Sequence, residues 1–208
     1  MAVIDIYQAV MNFNEANLLN LMQKELDEGN DVMTLLNDGL IAPLNEVGQK
    51  FSQGEMFLPE MMMAAQCVKK ALNILRPRLI AAGAKPKATI VLGTVKGDLH
   101  DIGKNLVGMM LEGAGFQVID LGVDVDPQTF ITTAKNIRPD IIGLSALLTT
   151  TMVAMEKTVS LIKGQGLTVK IIIGGAPITQ DFAEKIGADG YGKDAPGAVK
   201  LVQSLISI

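Results

Sequence analysis

Residues 88–107 read ATIVLGTVKGDLHDIGKNLV, and the way this stretch divides sets the architecture. Its first five residues form the apolar run of a buried strand. Beyond a glycine-spaced loop, Ile102, Leu106, Met109 and Met110 recur three and four apart, on one side of a helix. A strand leading through a loop into a helix opens an α/β sheet, and such loops carry its ligand sites. This loop holds His100, the one histidine of the chain, between Asp98 and Asp101. Either carboxylate can accept a hydrogen bond from one ring nitrogen and leave the other free, the arrangement of an imidazole metal ligand. Gly93, Gly97 and Gly103 let backbone pass close to a bound group. A helix-capping aspartate beside a solvent-facing ring would look the same, so the rest of the chain decides.

Downstream, strands and helices alternate. Strand patterns occupy 88–92, 116–121, 140–145, 170–175 and a short stretch at 189–191, with helical patterns at about 101–113, 127–136, 150–163, 179–186 and 195–206. Strands this apolar are buried on both faces, which predicts a five-stranded parallel, Rossmann-like (flavodoxin-like) sheet covered by helices. In the common order 2-1-3-4-5 the switch point lies between the first and third strands. The His100 loop then faces the loop that begins at Ser145.

Upstream, from Val3 to about Ile80, every signal is helical. Leu18, Leu21, Met22 and Leu26 share one face, as do Val32, Leu35, Leu36 and Leu40; further helices fit 41–51 and 59–79. Four or five helices with short turns predict a small bundle. The methionine-rich MFLPEMMM at 56–63 reads as core filling at Met62 and Met63. RPRLIAAGAKP at 76–86, with two prolines and a glycine, marks the boundary and an expected hinge. The predicted domains are a helical cap at 1–82 and an α/β domain at 87–208.

Charge and cysteine content narrow the function. The chain has 208 residues, 18 Lys plus Arg against 22 Asp plus Glu, and a net charge of −4. With no basic cluster, a nucleic-acid partner is not expected. One cysteine, Cys67, excludes an intrachain disulfide and a multi-cysteine zinc site. MAVIDIYQAVMNF lacks the pattern of a cleaved leader, and no apolar run approaches the roughly 18 residues of a membrane span, so a cytoplasmic protein without a membrane partner is expected. Neither Gly-x-Gly-x-x-Gly after the first strand nor a Gly-x-x-x-x-Gly-Lys-Ser/Thr loop is present, which removes the phosphate cradle of nucleotide binders.

Three features converge at the carboxyl edge of the sheet: Asp98-x-His100-x-x-Gly103, Ser145-x-Leu147, and Gly174-Gly175. Each alone is weak, a cap or a turn. Together and in this order they resemble the cobalamin-binding signature of the methionine synthase type, shared with the corrinoid proteins of methyltransferase systems. The helical half resembles the cap domain of that family in GLIAPLNEVGQKF at 39–51 and GEMFLPEMMMAA at 54–65.

The resemblance implies that His100 replaces the dimethylbenzimidazole of cobalamin as lower ligand to cobalt. The displaced nucleotide tail would enter a slot where Gly103, Gly174 and Gly175 leave room, Ser145 offers a hydrogen bond, and Leu147 and Thr149 form the lining. Asp98 and Thr151 would back the histidine; Thr151 is a threonine where the methionine synthase pattern has serine. Phe51 and Leu58, seven residues apart, match the pair that shields the methyl group on the upper face, although both also suit a bundle core.

The implied function is a methyl carrier cycling between cob(I)alamin and methylcob(III)alamin. A donor-specific methyltransferase would load it, and a second would unload it to tetrahydrofolate or a thiol cofactor, with room for a corrinoid reductive activase. The chain would then be a carrier subunit rather than a complete enzyme. Two other uses of a cobalamin domain remain open, a cobalamin-dependent sensor and a mutase small subunit. The first normally adds a DNA-binding helix-turn-helix, and the second lacks the cap with its FLP motif.

Overall fold

A computed structural model describes residues 2–83 and 85–206. Contacts divide the chain into two compact units, one of Met1–Lys87 with Met109–Gly115, the other of Ala88–Gly108 with Phe116–Ile208.

The first unit is helical: α1 (Ala2–Met11), α2 (Glu15–Asp27), α3 (Val32–Thr34), which continues as a π-helical stretch (Leu35–Ile41), α4 (Ala42–Ser52) and α5 (Leu58–Ala81). Of the residues the periodicity selects, Leu18, Met22, Leu26, Leu35, Leu36 and Leu40 are buried, whereas Leu21 and Val32 are half-buried. The two helices expected at 32–40 and 41–51 run on without a break, and Pro43 explains the π-helical join. A proline has no N–H for the carbonyl four residues back, here Gly39, and its ring crowds that carbonyl. Bonding shifts to partners five apart, as in Ala42 N–H to Asn37 O.

Two expectations need correction in this unit. Helix α5 runs through Pro77 to Ala81, so the first part of the expected hinge at 76–86 is helix; Ala84 lies outside the described residues. Of the methionines at 56–63, Met56 and Met61 are buried, whereas Met62 is half-buried and Met63 is 45% exposed.

The second unit is a parallel sheet of β1 (Thr89–Thr94), β2 (Gln117–Asp120), β3 (Ile141–Ser145), β4 (Lys170–Gly174) and β5 (Gly190–Gly192), in the order β2-β1-β3-β4-β5. It alternates with α6 (Ile102–Gly113), α7 (Pro127–Ile137), α8 (Met152–Lys163), α9 (Gln180–Ile186) and α10 (Ala195–Leu205). The expected fold class and strand order are both found. Alternate residues Val91, Ile142, Leu144, Ile171 and Ile173 bury one face against Phe130, Met155 and Val159. Caps set the helix starts: Asp126, Thr179 and Asp194 each accept a backbone N–H from the first turn that follows. Ile102 departs from its expected place on the apolar face of α6, since it is 65% exposed.

The register matters most for the site. Thr94 pairs with Ser145, so the carboxyl ends of β1 and β3 lie side by side at the switch point, joined by Val95 N–H to Ser145 O at 3.0 Å.

Candidate functional site

The loop between β1 and α6 is folded by its own polar groups. Asp98 lies fully buried near its middle. Its Oδ1 accepts from the His100 backbone N–H at 3.0 Å and lies 2.7 Å from His100 Nδ1. Its Oδ2 accepts from Leu147 N–H at 2.7 Å and from the Thr151 hydroxyl at 2.7 Å. The Thr151 oxygen also lies 2.9 Å from Leu148 O, but a hydroxyl has one proton, and the ionised partner is the stronger acceptor. Asp98 thus ties the β1 loop to the loop after β3.

Burial by itself would raise the Asp98 pKa. Four hydrogen bonds outweigh it: from Leu147 N–H, the Thr151 hydroxyl, His100 N–H and the His100 ring. They hold the carboxyl well below the usual carboxylate range. An ionised carboxylate only accepts, so Nδ1 of His100 carries the ring proton and the lone pair sits on Nε2. The imidazole is 51% exposed, and Nε2 has no hydrogen-bond partner among the described residues. A nitrogen so placed is free to serve as a ligand.

The two aspartates flanking His100 are not equivalent. The ring's partner is Asp98, whereas Asp101 accepts from the Asn105 side chain at 3.0 Å, at the start of α6. Beside it, buried Lys104 pairs with Asp120 at 2.5 Å and with Asn105 at 2.7 Å, fastening the first turn of α6 to the end of β2.

The glycines separate into two kinds. A Cβ on Gly103 would meet nothing within 4 Å, so no described part of the chain claims that space. A Cβ on Gly175 would stand 1.8 Å from the Ala146 carbonyl oxygen, at a φ of +130°, and one on Gly174 would stand 3.1 Å from Gly192 O. These two are glycine because neighbouring backbone lies against them, whatever else binds. The three glycines expected to make room for a ligand therefore differ: Gly174 and Gly175 face neighbouring backbone, and Gly103 faces open space.

Ser145 is half-buried, and its hydroxyl takes no hydrogen bond from the described residues. Thr149 is exposed on the same loop. Leu147 contributes its amide to Asp98, while its side chain is 42% exposed. Phe51 at the end of α4 and Leu58 at the start of α5 belong to the helical unit, half-buried and 43% exposed respectively.

Sequence reasoning missed three contributions. Thr94, fully buried, donates its hydroxyl to the His100 carbonyl at 2.9 Å. Asp124 accepts from Gly97 N–H at 2.8 Å and from Lys96 at 3.1 Å, closing the loop from the β2 side. Exposed apolar residues Leu99, Val123 and Leu148 stand on the loops of the same sheet edge, and exposed Ile102 opens α6 beside them. The available signal for them was an apolar residue in a polar loop, which by itself is unremarked.

Comparison with known proteins bears on the same residues. The family description "B12 binding domain" fits residues 88–200, and a second description with that wording fits residues 5–76. A corrinoid protein of Desulfitobacterium hafniense (strain Y51) is 41% identical over 99% of this chain and 98% of its own. Trimethylamine corrinoid protein 1 of Methanosarcina acetivorans is 40% identical over 95% of this chain and 94% of its own. Among solved structures, the methanol:cobalamin methyltransferase complex MtaBC from Methanosarcina barkeri contains a chain with a TM-score of 0.87 and 29% identity. That match covers 99% of this chain and 80% of that one.

Proposed function

Because this chain belongs to the B12-binding corrinoid proteins of methyltransferase systems, we propose that it is the component that carries a methyl group between methyltransferases. Its cofactor is a corrinoid, and it works with methyltransferases. When bound, the corrinoid supplies a cobalt centre that accepts a methyl group and gives it up again. The residues fit that group at two points: Nε2 of His100 stands unpartnered with its lone pair outward, and Gly103 borders open space.

The carrying observation is the Asp98–His100 pair. Asp98 holds the proton on Nδ1 and strengthens Nε2 as a donor, so His100 would be the residue that holds the cobalt of a bound corrinoid. Leu147 N–H and Thr151 keep Asp98 ionised and in place. Ser145 offers a free hydroxyl to the nucleotide tail, with Leu147 and Thr149 beside it. Gly174 and Gly175 let the loop after β4 close on Ala146 and Gly192, shaping the slot through backbone. Asp101 orders the first turn of α6 through Asn105. Phe51 and Leu58 are the proposed shield of the transferable methyl group.

The finer assignments are part of the same proposal: a donor-specific methyltransferase on one side, an acceptor methyltransferase on the other, a reductive activase, a helical cap at 1–82 and a cobalamin domain at 87–208. A cytoplasmic location also belongs to it; no helix among the described residues is long and apolar enough to cross a membrane. Since the relatives named above serve trimethylamine and methanol, these are the first donors to try.

Reconstitution tests the reading. Apoprotein mixed with cobalamin and passed through gel filtration should retain stoichiometric corrinoid with the absorption of a histidine-ligated cobalt. His100→Ala should bind about tenfold or more weaker and lose that spectrum. A wild-type protein that elutes free of corrinoid, or a variant with an unchanged spectrum, would overturn it.

A further inference from the structure

We propose that Thr94 is a positioning residue for the His100 imidazole, acting through the His100 backbone; this rests on His100 being the ligand. Two of the three hydrogen bonds that hold His100 end on one atom. Its N–H and its Nδ1 both reach Asp98 Oδ1, at 3.0 and 2.7 Å. Two bonds converging on a single oxygen leave a pivot, about which the residue can swing and loosen the Nδ1 bond. The third bond removes that freedom: the Thr94 hydroxyl donates to the His100 carbonyl at 2.9 Å, from a different element and on the opposite side of the residue.

Thr94 is suited to be a fixed post. It closes β1, paired with Ser145 across the switch point. Its N–H donates to Gly122 O at 3.0 Å, and its carbonyl accepts from Val125 N–H at 2.9 Å. The side chain is fully buried, so its hydroxyl has no water to exchange for the His100 carbonyl. A β-branched residue is stiff at χ1, which transmits the rigidity of the strand to the hydroxyl. The direction of Nε2 is thereby set by the sheet as well as by Asp98.

Thr94→Val is the sharp variant, because it keeps shape and branching in a buried position and deletes one donor. The carbonyl it releases belongs to an exposed residue, which water can serve. Thr94→Ser, which keeps the hydroxyl, is the rescue. With one histidine in the chain, nitrogen-15 histidine labelling reports this ring alone.

In the full-length apoprotein, NMR of the labelled ring should show wild type as a single Nδ1-protonated tautomer. Thr94→Val should give an averaged or mixed ring signal, and Thr94→Ser should return toward wild type. In protein loaded with cob(II)alamin, paramagnetic resonance should show the labelled nitrogen coupled to cobalt in wild type, and a reduced coupled fraction in Thr94→Val. Corrinoid affinity of that variant should be about tenfold weaker, and circular dichroism unchanged.

A Thr94→Val ring signal identical to wild type in the apoprotein overturns the positioning role, whatever the cobalt result. Absence of nitrogen coupling in wild type, matching His100→Ala, instead overturns the ligand reading on which the proposal stands.

Discussion

Asp98 shows how a charge can be buried without penalty to the fold: four donors converge on its two oxygens. Hydrogen bonds to an ionised acceptor are individually stronger than neutral ones, and their sum outweighs desolvation. The glycines at the same edge show the opposite economy, where the absence of a side chain matters for two different reasons. Gly175→Ala puts a methyl group 1.8 Å from the Ala146 carbonyl oxygen at a φ that L-residues rarely adopt. It should cost about 3 kcal/mol or more in denaturant unfolding. Gly103→Ala, in the first turn of α6 with open space around it, should leave stability unchanged or raise it by up to about 1 kcal/mol, and should weaken corrinoid binding. If both variants lost stability equally, Gly103 would be structural and its place in the ligand slot would fall.

At the scale of elements, a hydroxyl far away in sequence joins two helices. Tyr7 on α1 hydrogen-bonds Glu46 on α4, which also pairs with Lys50 at 2.9 Å. This bond to the carboxylate, with burial and the nearby negative charge adding to it, pushes the Tyr7 phenol up to about 12. A folded-state pKa above the ordinary 10.0 means that the native state holds its proton longer than the unfolded chain. The stabilisation is complete below pH 10.0 and is lost as pH rises through about 12. In a tyrosinate absorbance titration of the folded protein, the late step should disappear in Tyr7→Phe; a late step that survives would assign it elsewhere. The pairing was invisible in sequence because 39 residues separate its ends, beyond any helical period. What was legible were elements whose burial repeats locally, every strand of the sheet and helices such as α2, while the strand order was supposed to be the common one and is. The join at Pro43 and the passage of α5 through Pro77 were not, since a proline rule states a local preference that packing of Leu44, Leu72 and Leu75 overrides. In the site, residue types and spacing pointed to Asp98 and His100, and the family resemblance to Thr151. The role of Leu147 lay in its amide and that of Thr94 in a bond to a carbonyl, and neither backbone atom leaves a mark on the sequence.

For the molecule as a whole, the chain order and the packing order differ. The helical unit takes in Met109–Gly115, the last part of α6, although that helix begins two residues after His100 in the other unit. Within the helical unit, Lys69 pairs with Glu112 at 2.8 Å, and a Cβ on Gly113 would stand 2.2 Å from Leu44 and 3.3 Å from Val68. Gly113 is therefore the point at which residues 109–115 lie flush against α4 and α5 within this unit, and a branched side chain there must displace the Leu44 methyl group. Gly113→Val should destabilise this unit by about 2–3 kcal/mol, the ordinary cost of overpacking. Hydrogen exchange localises the effect: amides of α4 and α5 near Leu44 and Val68 should lose protection, because their packing is what the added methyl groups displace. Protection in α4 and α5 equal to that of the unsubstituted chain would show that the contact is dispensable and that the helical unit is complete without residues 109–115.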